Sequence, residues 1–259
     1  MNADTLWVDE SPQKPARQAE LVYESESAAL WLGDARDVLA DIPKESTHLI
    51  LTDPPYGVEW RSNQRAERFS QLVGDGASED ERAIVREVLR HCVRIVGQNR
   101  HLYVFGPSDV LDGQKVSEVV ELIWDKGTLG SGDVTSVWGP QHERVSFCTS
   151  KFRHAGQTGG SGVPTRLRKG SILRFTRPTG RKVRHPSEKP VPLLTELIES
   201  SSRRGELIVD PFAGVGSTGV AAILSGRRAL LVEKDPQWIP IAVERLKRAE
   251  HLSREEASA

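Results

Sequence analysis

Residues 207–219 read LIVDPFAGVGSTG, a short apolar run, an acid at Asp210, and Gly214, Gly216 and Gly219 in the pattern G-x-G-x-x-G. A helical pattern continues to Leu224, and a second apolar run covers 229–232. A strand, a tight glycine turn, a helix and a second strand make one crossover unit with parallel strands. Parallel strands are buried on both faces, so this stretch commits the chain to an α/β fold. It also constrains chain order. The turn lies near the C-terminus, with only one strand and the helices on either side of it remaining after it. The rest of a doubly wound sheet must come from earlier residues, so the fold is expected to be circularly permuted relative to one that begins with its glycine turn.

The earlier residues supply suitable elements. Strands are expected at 28–33, 48–52 and 101–105, with two further candidates at 116–124 and 144–149. Helices are expected at 36–41, 78–96, 192–201 and 236–248. In the second of these, Ile84, Val85, Val88, Leu89, Val93 and Val96 can share one face. Residues 1–20, with Pro12 and Pro15 among polar neighbours, read as a disordered extension, 21–250 as the folded domain, and 251–259 as a frayed tail. Two long stretches break the alternation, 57–80 and 151–184, and long loops of that kind are commonly functional.

Composition narrows the class. Of 259 residues, 37% are apolar and 27% charged, and no apolar run approaches the ~18 residues of a membrane span. The N-terminus is acidic and polar rather than basic and then apolar, so no signal peptide is read there. Cys92 and Cys148 lack metal-ligand spacing and suit a reducing cytoplasm as small buried apolar residues. His91, His101, His142, His154 and His185 show no metal-ligand spacing either, and no metal is expected. The net charge of -1 conceals an asymmetry: between Arg144 and Ser187 there are eleven Lys and Arg residues and no acid. Such a block fits a polyanion on one face, or a solvated loop.

Glu233 follows Gly214 by about 20 residues, where a dinucleotide site keeps the acid that binds ribose. A nicotinamide dehydrogenase is disfavoured by Asp210, because a carboxylate at the strand tip repels a pyrophosphate. A phosphate-free adenosine carrying a cationic group fits better, and S-adenosylmethionine has that chemistry. Glu233 accepts ribose hydroxyls in either case.

The strand at 48–52 runs directly into Asp53-Pro54-Pro55-Tyr56. Ligands of open parallel sheets bind beyond the carboxyl ends of the strands. The Asp53 carboxylate and the Pro54 carbonyl can both accept from one exocyclic NH2, and Pro55 brings no amide donor of its own. The Tyr56 ring offers a stacking face for a base. An aromatic amine is a poor nucleophile because its lone pair is delocalised. Two acceptors can draw it toward tetrahedral geometry and take up charge as an alkyl group arrives.

With these pieces together, the chain resembles the amino-group DNA methyltransferases of the permuted beta group. The resemblance rests on WLGDARDVL, LILTDPPYGV, the stretch from ELIWDKG to HERVSFCTSK, HPSEKP, DPFAGVGST and LLVEKD, in that order over nearly all of 28–248. It implies a mostly parallel seven-stranded sheet with a small basic target-recognition insertion at 151–184. By similarity, Asp53, Pro54, Pro55 and Tyr56 hold the target amine and the flipped base. Asp210, Phe212, Ala213, Gly214 and Gly216 form the cofactor turn, Ser217 or Thr218 meets the methionine carboxylate, and Glu233, followed by Lys234, takes the ribose. Asp34 and Ala35 meet the adenine edge, with helix capping as the alternative role for Asp34. His185, Ser187 and Lys189 belong to a segment packed over the methionine end, although Lys189 also suits a helix-start charge. His142 and Glu143 match a recurrent pair with no derived role. Arg166, Arg168, Lys169, Arg174 and Arg177 are the candidate DNA contacts, and 57–80, with Trp60, Arg61 and Arg65, is placed to close over an extruded base.

The implied activity is methyl transfer from S-adenosylmethionine to the N6 amine of adenine in double-stranded DNA. The N4 amine of cytosine presents the same chemistry, and the acid at Asp53, rather than a serine, leans toward adenine. A DNA-binding module with an idle cofactor pocket is the remaining alternative. The resemblance leaves open a homodimer and a cognate restriction nuclease.

Overall fold

The computed structural model describes residues 19–55, 79–128, 137–139, 141–150, 169–177 and 188–258. The described strands are β1 (Glu20–Glu24), β2 (Ala28–Leu32), β3 (Thr47–Thr52), β4 (Val96–Phe105), β5 (Val120–Asp125), β6 (His142–Thr149), β7 (Ile172–Arg174), β8 (Leu207–Asp210) and β9 (Arg228–Glu233). The described helices are α1 (Ala35–Asp41), α2 (Glu79–Ile95), α3 (Val191–Ser201), α4 (Ser217–Leu224) and α5 (Ile239–Ser258). All nine strands join one sheet in the order β1-β2-β9-β8-β3-β4-β6-β5-β7. The β8–α4–β9 unit, last in the chain, thus occupies the middle of the sheet.

The central strands are buried on both faces, as their apolar composition requires. Successive side chains alternate between two cores. Leu49, Leu51, Ile208, Ala229 and Leu231 pack with α3, α4 and α5. Ile50, Leu207, Val209, Leu230 and Val232 pack on the other face with α1 and α2. Cys92 and Cys148 are buried as free thiols in this second core.

The pairings β2–β9, β9–β8, β8–β3, β3–β4 and β5–β7 are parallel; β1–β2, β4–β6 and β6–β5 are antiparallel. The fold is therefore an α/β fold with a mostly parallel sheet, but with nine strands among the described residues rather than seven. The two additional strands close its edges. β1 begins at Glu20, and the adjacent Ala19 is buried, so the fold starts slightly before the expected boundary. β7 lies inside the basic stretch that reads as loop; its three residues pair with the edge strand β5, where a short ladder suffices.

Three boundaries also differ. β4 begins at Val96 rather than His101, and its pairing with β3 shifts register across the stretch where Asn99 takes φ of 56°, a left-handed conformation that Asn tolerates. The strand expected at 116–124 narrows to β5, leaving Val116 only an isolated bridge to Ser150. At the C-terminus, α5 runs to Ser258, so the expected frayed tail is helical.

At β8 and β3 the chain departs in opposite directions. From β8 it passes through α4 to β9 on one side, and from β3 through α2 to β4 on the other. The helices lie on opposite faces. Such a switch point opens a crevice at the carboxyl ends of the strands. The strands that flank it end in Asp210 and in Thr52, the residue before Asp53.

Candidate active site

Asp53 and Pro54 stand at the carboxyl end of β3, with Pro54 buried and Pro55 half-buried. Asp53 Oδ2 lies 2.5 Å from the Lys189 ammonium, and Lys189 lies 3.2 Å from Glu143 Oε2. Glu143 Oε1 in turn is 2.6 Å from Lys126. Burial disfavours the charge on Lys189, but Asp53 and Glu143 outweigh it and raise its pKa. Burial likewise opposes ionisation of Glu143, and Lys189 and Lys126 overcome it, holding the carboxyl below its ordinary value. Lys189, expected either over the methionine end or as a helix-start charge, thus has its ammonium against the proposed amine acceptor.

The glycine turn follows β8. Gly214 and Gly216 have φ of 52° and 75°, conformations that favour glycine. Gly219 serves a different purpose: a Cβ there would lie 2.6 Å from side-chain carbons of Leu231 and Leu246, so its lack of one lets α4 sit close on the sheet. Ala213 is buried and donates its amide to the Val232 carbonyl, tying the turn to β9. Phe212 is half-buried and packs against the α1–α2 core.

The Asp210 carboxylate is buried and satisfied within the fold. It accepts from Thr52 Oγ1 at 2.7 Å, from Thr218 Oγ1 at 2.6 Å and from the Phe212 amide at 3.1 Å. Burial dominates these bonds and pushes its pKa up to about 6. The side chain thus ties three chain segments together at the crevice floor. Thr218 is committed to this contact, and Ser217 Oγ accepts from Arg245 at 3.1 Å.

Glu233 ends β9 beside the turn. Its Oε2 accepts from the Gly214 amide at 2.6 Å and its Oε1 from the Asp235 amide at 2.7 Å. Burial raises its pKa. A carboxylate held by two backbone amides has a fixed orientation, and each oxygen has a second lone pair for a ligand hydroxyl.

Asp34 is the N-cap of α1, accepting from the Arg36 amide at 2.9 Å. The Arg36 guanidinium also grips both carboxylate oxygens, at 3.0 and 2.8 Å, and these bonds lower the Asp34 pKa. The capping role is thus visible in this side chain, while Ala35 is buried. The largely exposed Lys234 ammonium stands 3.9 Å from Asp34, above the same strand ends.

Of the candidate DNA contacts, Arg174 ends β7 with 74% of its side chain exposed and a distant Asp125 partner at 3.9 Å. Arg177 is half-buried, and Lys169 pairs with Glu196 on α3. Tyr56, Arg166, Arg168, His185, Ser187 and nearly all of 57–80 lie outside the described residues. Among the described residues no cluster of three or more His, Cys, Asp or Glu could hold a metal ion, and no helix is long and apolar enough to cross a membrane.

Residues 113–244, just over half of the chain, match the family described as DNA methylase. This chain belongs to the DNA methylase family. The methylase is 25% identical over 265 aligned residues to the DNA adenine methyltransferase YhdJ of Escherichia coli K12, covering 90% of this chain and 87% of that one. It is 25% identical over 245 aligned residues to the type II methyltransferase M.HinfI of Haemophilus influenzae, covering 83% and 67%. Among solved structures it is similar to the DNA modification methylase TTHA0409 of Thermus thermophilus in complex with S-adenosyl-L-methionine, with a TM-score of 0.61, 25% identity and coverage of 85% and 94%.

Sequence reasoning missed several residues that surround the methylase's candidate site. Thr52 and Arg36 looked like ordinary strand and helix residues. Lys126 sits in the stretch ELIWDKG, but only the folded sheet reveals its partner. Arg245 on α5 donates to the Val215 carbonyl at 2.8 Å and pairs with Glu188 at 2.8 Å, joining the glycine turn to the segment that carries Lys189. No motif marks Arg245, because its partners lie about 30 to 57 positions away in the chain.

Proposed function

We propose that this methylase transfers a methyl group from S-adenosylmethionine to the N6 amine of an adenine flipped out of double-stranded DNA. The observation that carries the reading is the juxtaposition of Asp53 with the glycine turn across the β3–β8 switch point. An acceptor for an exocyclic amine and a cradle for an adenosine then open onto one crevice.

The residues suit the cofactor. Two glycines in positive-φ conformations leave the turn without side chains, Glu233 is oriented by two amides, and acids rather than phosphate-binding cations stand at the ends of β8 and β9. Asp210 supports this cradle from beneath. S-adenosylmethionine supplies an electrophilic methyl group on a sulfonium. Glu233 accepts from the ribose hydroxyls. Asp53 and the Pro54 carbonyl accept from the two N6 hydrogens and direct the nitrogen lone pair at the carbon under attack. The N–C bond forms as the S–C bond breaks, and the methylated amine gives up one proton, for which Asp53 is the nearest acceptor in this reading. Tyr56 provides the stacking face, and the basic stretch from Arg144 to Ser187 contacts DNA phosphates. The enzyme works in the cytoplasm.

Adenine is preferred to cytosine N4 because position 53 carries an acid and because the relative YhdJ is named an adenine methyltransferase. The test is mass spectrometry of nucleosides from DNA of a methylation-free host expressing the protein. N6-methyladenine is the expected product. N4-methylcytosine alone would reverse the base assignment, and no methylated base would remove the activity.

A further inference from the structure

Four side chains of alternating charge run in a line along one end of the sheet: Lys126 after the carboxyl end of β5, Glu143 at the amino end of the antiparallel β6, Lys189 before α3, and Asp53 after the carboxyl end of β3. Both ammonium groups are almost withdrawn from solvent, with 10% of the Lys126 side chain exposed and 7% of Lys189. The lysines rest on aromatic rings. Lys126 Nζ lies 5.4 Å from the Trp124 ring centroid and Lys189 Nζ 5.0 Å from that of Phe105. The two rings meet edge to face at 6.4 Å, and the Trp124 indole donates to the Phe175 carbonyl at 2.7 Å.

Burying an ammonium is costly unless carboxylates compensate it, and a buried pair contributes little net stability compared with apolar packing. A fold that keeps two such lysines beside its amine acceptor therefore calls for a reason other than stability. Lys189 contacts Asp53 through one carboxylate oxygen, Oδ2, which orients the whole group. It also supplies local positive charge where Asp53, Glu143 and the buried Asp210 stand near one another. Glu143 stations Lys189, and Lys126 balances Glu143.

We propose that Lys189 is the positioning residue that holds Asp53 in its ionised, amine-accepting orientation, and that Glu143 and Lys126 hold Lys189 there through the balance of charge along the line. This rests on the reading of Asp53 as the amine acceptor. Replacing Lys189 with methionine takes away the ammonium that stands between Asp53 and Glu143. Either Asp53 turns away or one acid takes up a proton, and both outcomes weaken its grip on the amine. Removing the charge of Glu143 as well restores the balance.

The experiment measures methyl transfer to DNA from a methylation-free host, using radiolabelled S-adenosylmethionine. Turnover is normalised to the number of cofactor-binding sites found by calorimetry, so that misfolded protein does not count. K189M should lower kcat by about 100-fold, the scale on which losing one well-placed group that serves the transition state acts, with KM for DNA within about threefold of the parent. K189M/E143Q should recover at least about tenfold of that loss, and K189R should retain more activity than K189M. The same logic applies one step further along the line. K126M should lower kcat, and K126M/E143Q should restore it in part. This second pair keeps Lys189 and tests the charge balance even if K189M fails to fold. Unchanged kcat in folded K189M, or no recovery in either double variant, would overturn the proposal. D53A, which leaves no side-chain acceptor, separates the two ideas in the same assay. An inactive D53A beside a fully active K189M removes the role of Lys189 alone, whereas a fully active D53A removes the amine-acceptor reading on which it rests.

Discussion

The hydroxyl of Thr52 donates to the carboxylate of Asp210 across the β3–β8 boundary at 2.7 Å. One bond thereby joins the residue before the proposed amine acceptor to the strand that feeds the glycine turn. The other Asp210 oxygen accepts from Thr218 at the start of α4, so the acid registers both halves of the crevice.

This buried acid makes stability depend on pH. Its folded pKa of about 6 lies above the ordinary aspartate value of 3.8, so the folded state holds the proton more tightly than the unfolded chain. Its contribution to stability is full below pH ~4 and declines as pH rises through about 6, by roughly 2–3 kcal/mol in total. D210N, which carries no ionisable group there, should lack this component. Urea unfolding of both proteins between pH 4 and 7.5 checks it; identical pH dependence in the two would remove Asp210 as the source.

D53A should lower turnover by about 100-fold or more, since an acceptor aimed at developing charge is worth that much or more. Cofactor affinity should change by less than about threefold, because the proposed ribose and turn contacts lie at β8 and β9 rather than β3. Calorimetry with S-adenosylmethionine alongside steady-state kinetics gives both values.

Glu233→Ala should weaken cofactor binding strongly. Two ribose hydrogen bonds to a charged acceptor are removed, each worth about 1.5–3 kcal/mol, and the Gly214 and Asp235 amides lose their partner as well. A calorimetric affinity within twofold of the parent would show that the ribose lies elsewhere.

Gly219→Ala should destabilise the fold by about 1–3 kcal/mol through overpacking between Leu231 and Leu246. A drop in the denaturant midpoint without a change in its slope is the expected signature.

Neutralising Arg166, Arg168 and Lys169 together should flatten the salt dependence of DNA affinity, by roughly 0.9 in log–log slope for each phosphate that is no longer neutralised. Cofactor affinity should stay unchanged. Lys169 already pairs with Glu196, which lowers the share expected of it. Coincident slopes for parent and variant would move the DNA-binding surface to another segment, with 57–80 next in line.

What the sequence determined by itself was the local, contiguous part of this protein. An apolar run before a glycine turn declares a buried parallel strand, because a strand covered on both faces has to be apolar throughout. Gly214 and Gly216 declare a tight turn, because their backbone angles suit glycine best. Asp53-Pro54-Pro55-Tyr56 reads as an amine acceptor because the residue types and spacing of the proposed role are adjacent in the chain. The edges of the sheet were not legible. β1 and β7 are short strands whose sequences make weak claims until β2 and β5 offer them a ladder. The partners of the site residues were not legible either. Asp210 reads as a cofactor contact, and its clasp on Thr52 and Thr218, 158 and 8 residues away, came only from the packed strands. Lys189 reads as a cofactor-side or helix-start charge, and only the fold shows that it faces Asp53 from 136 residues away, in line with Glu143 and Lys126. Periodicity and motif spacing report what a segment does with its own neighbours. Which buried charges face one another is decided only when distant strands are packed edge to edge, since that packing excludes water and forces each charge to find a partner.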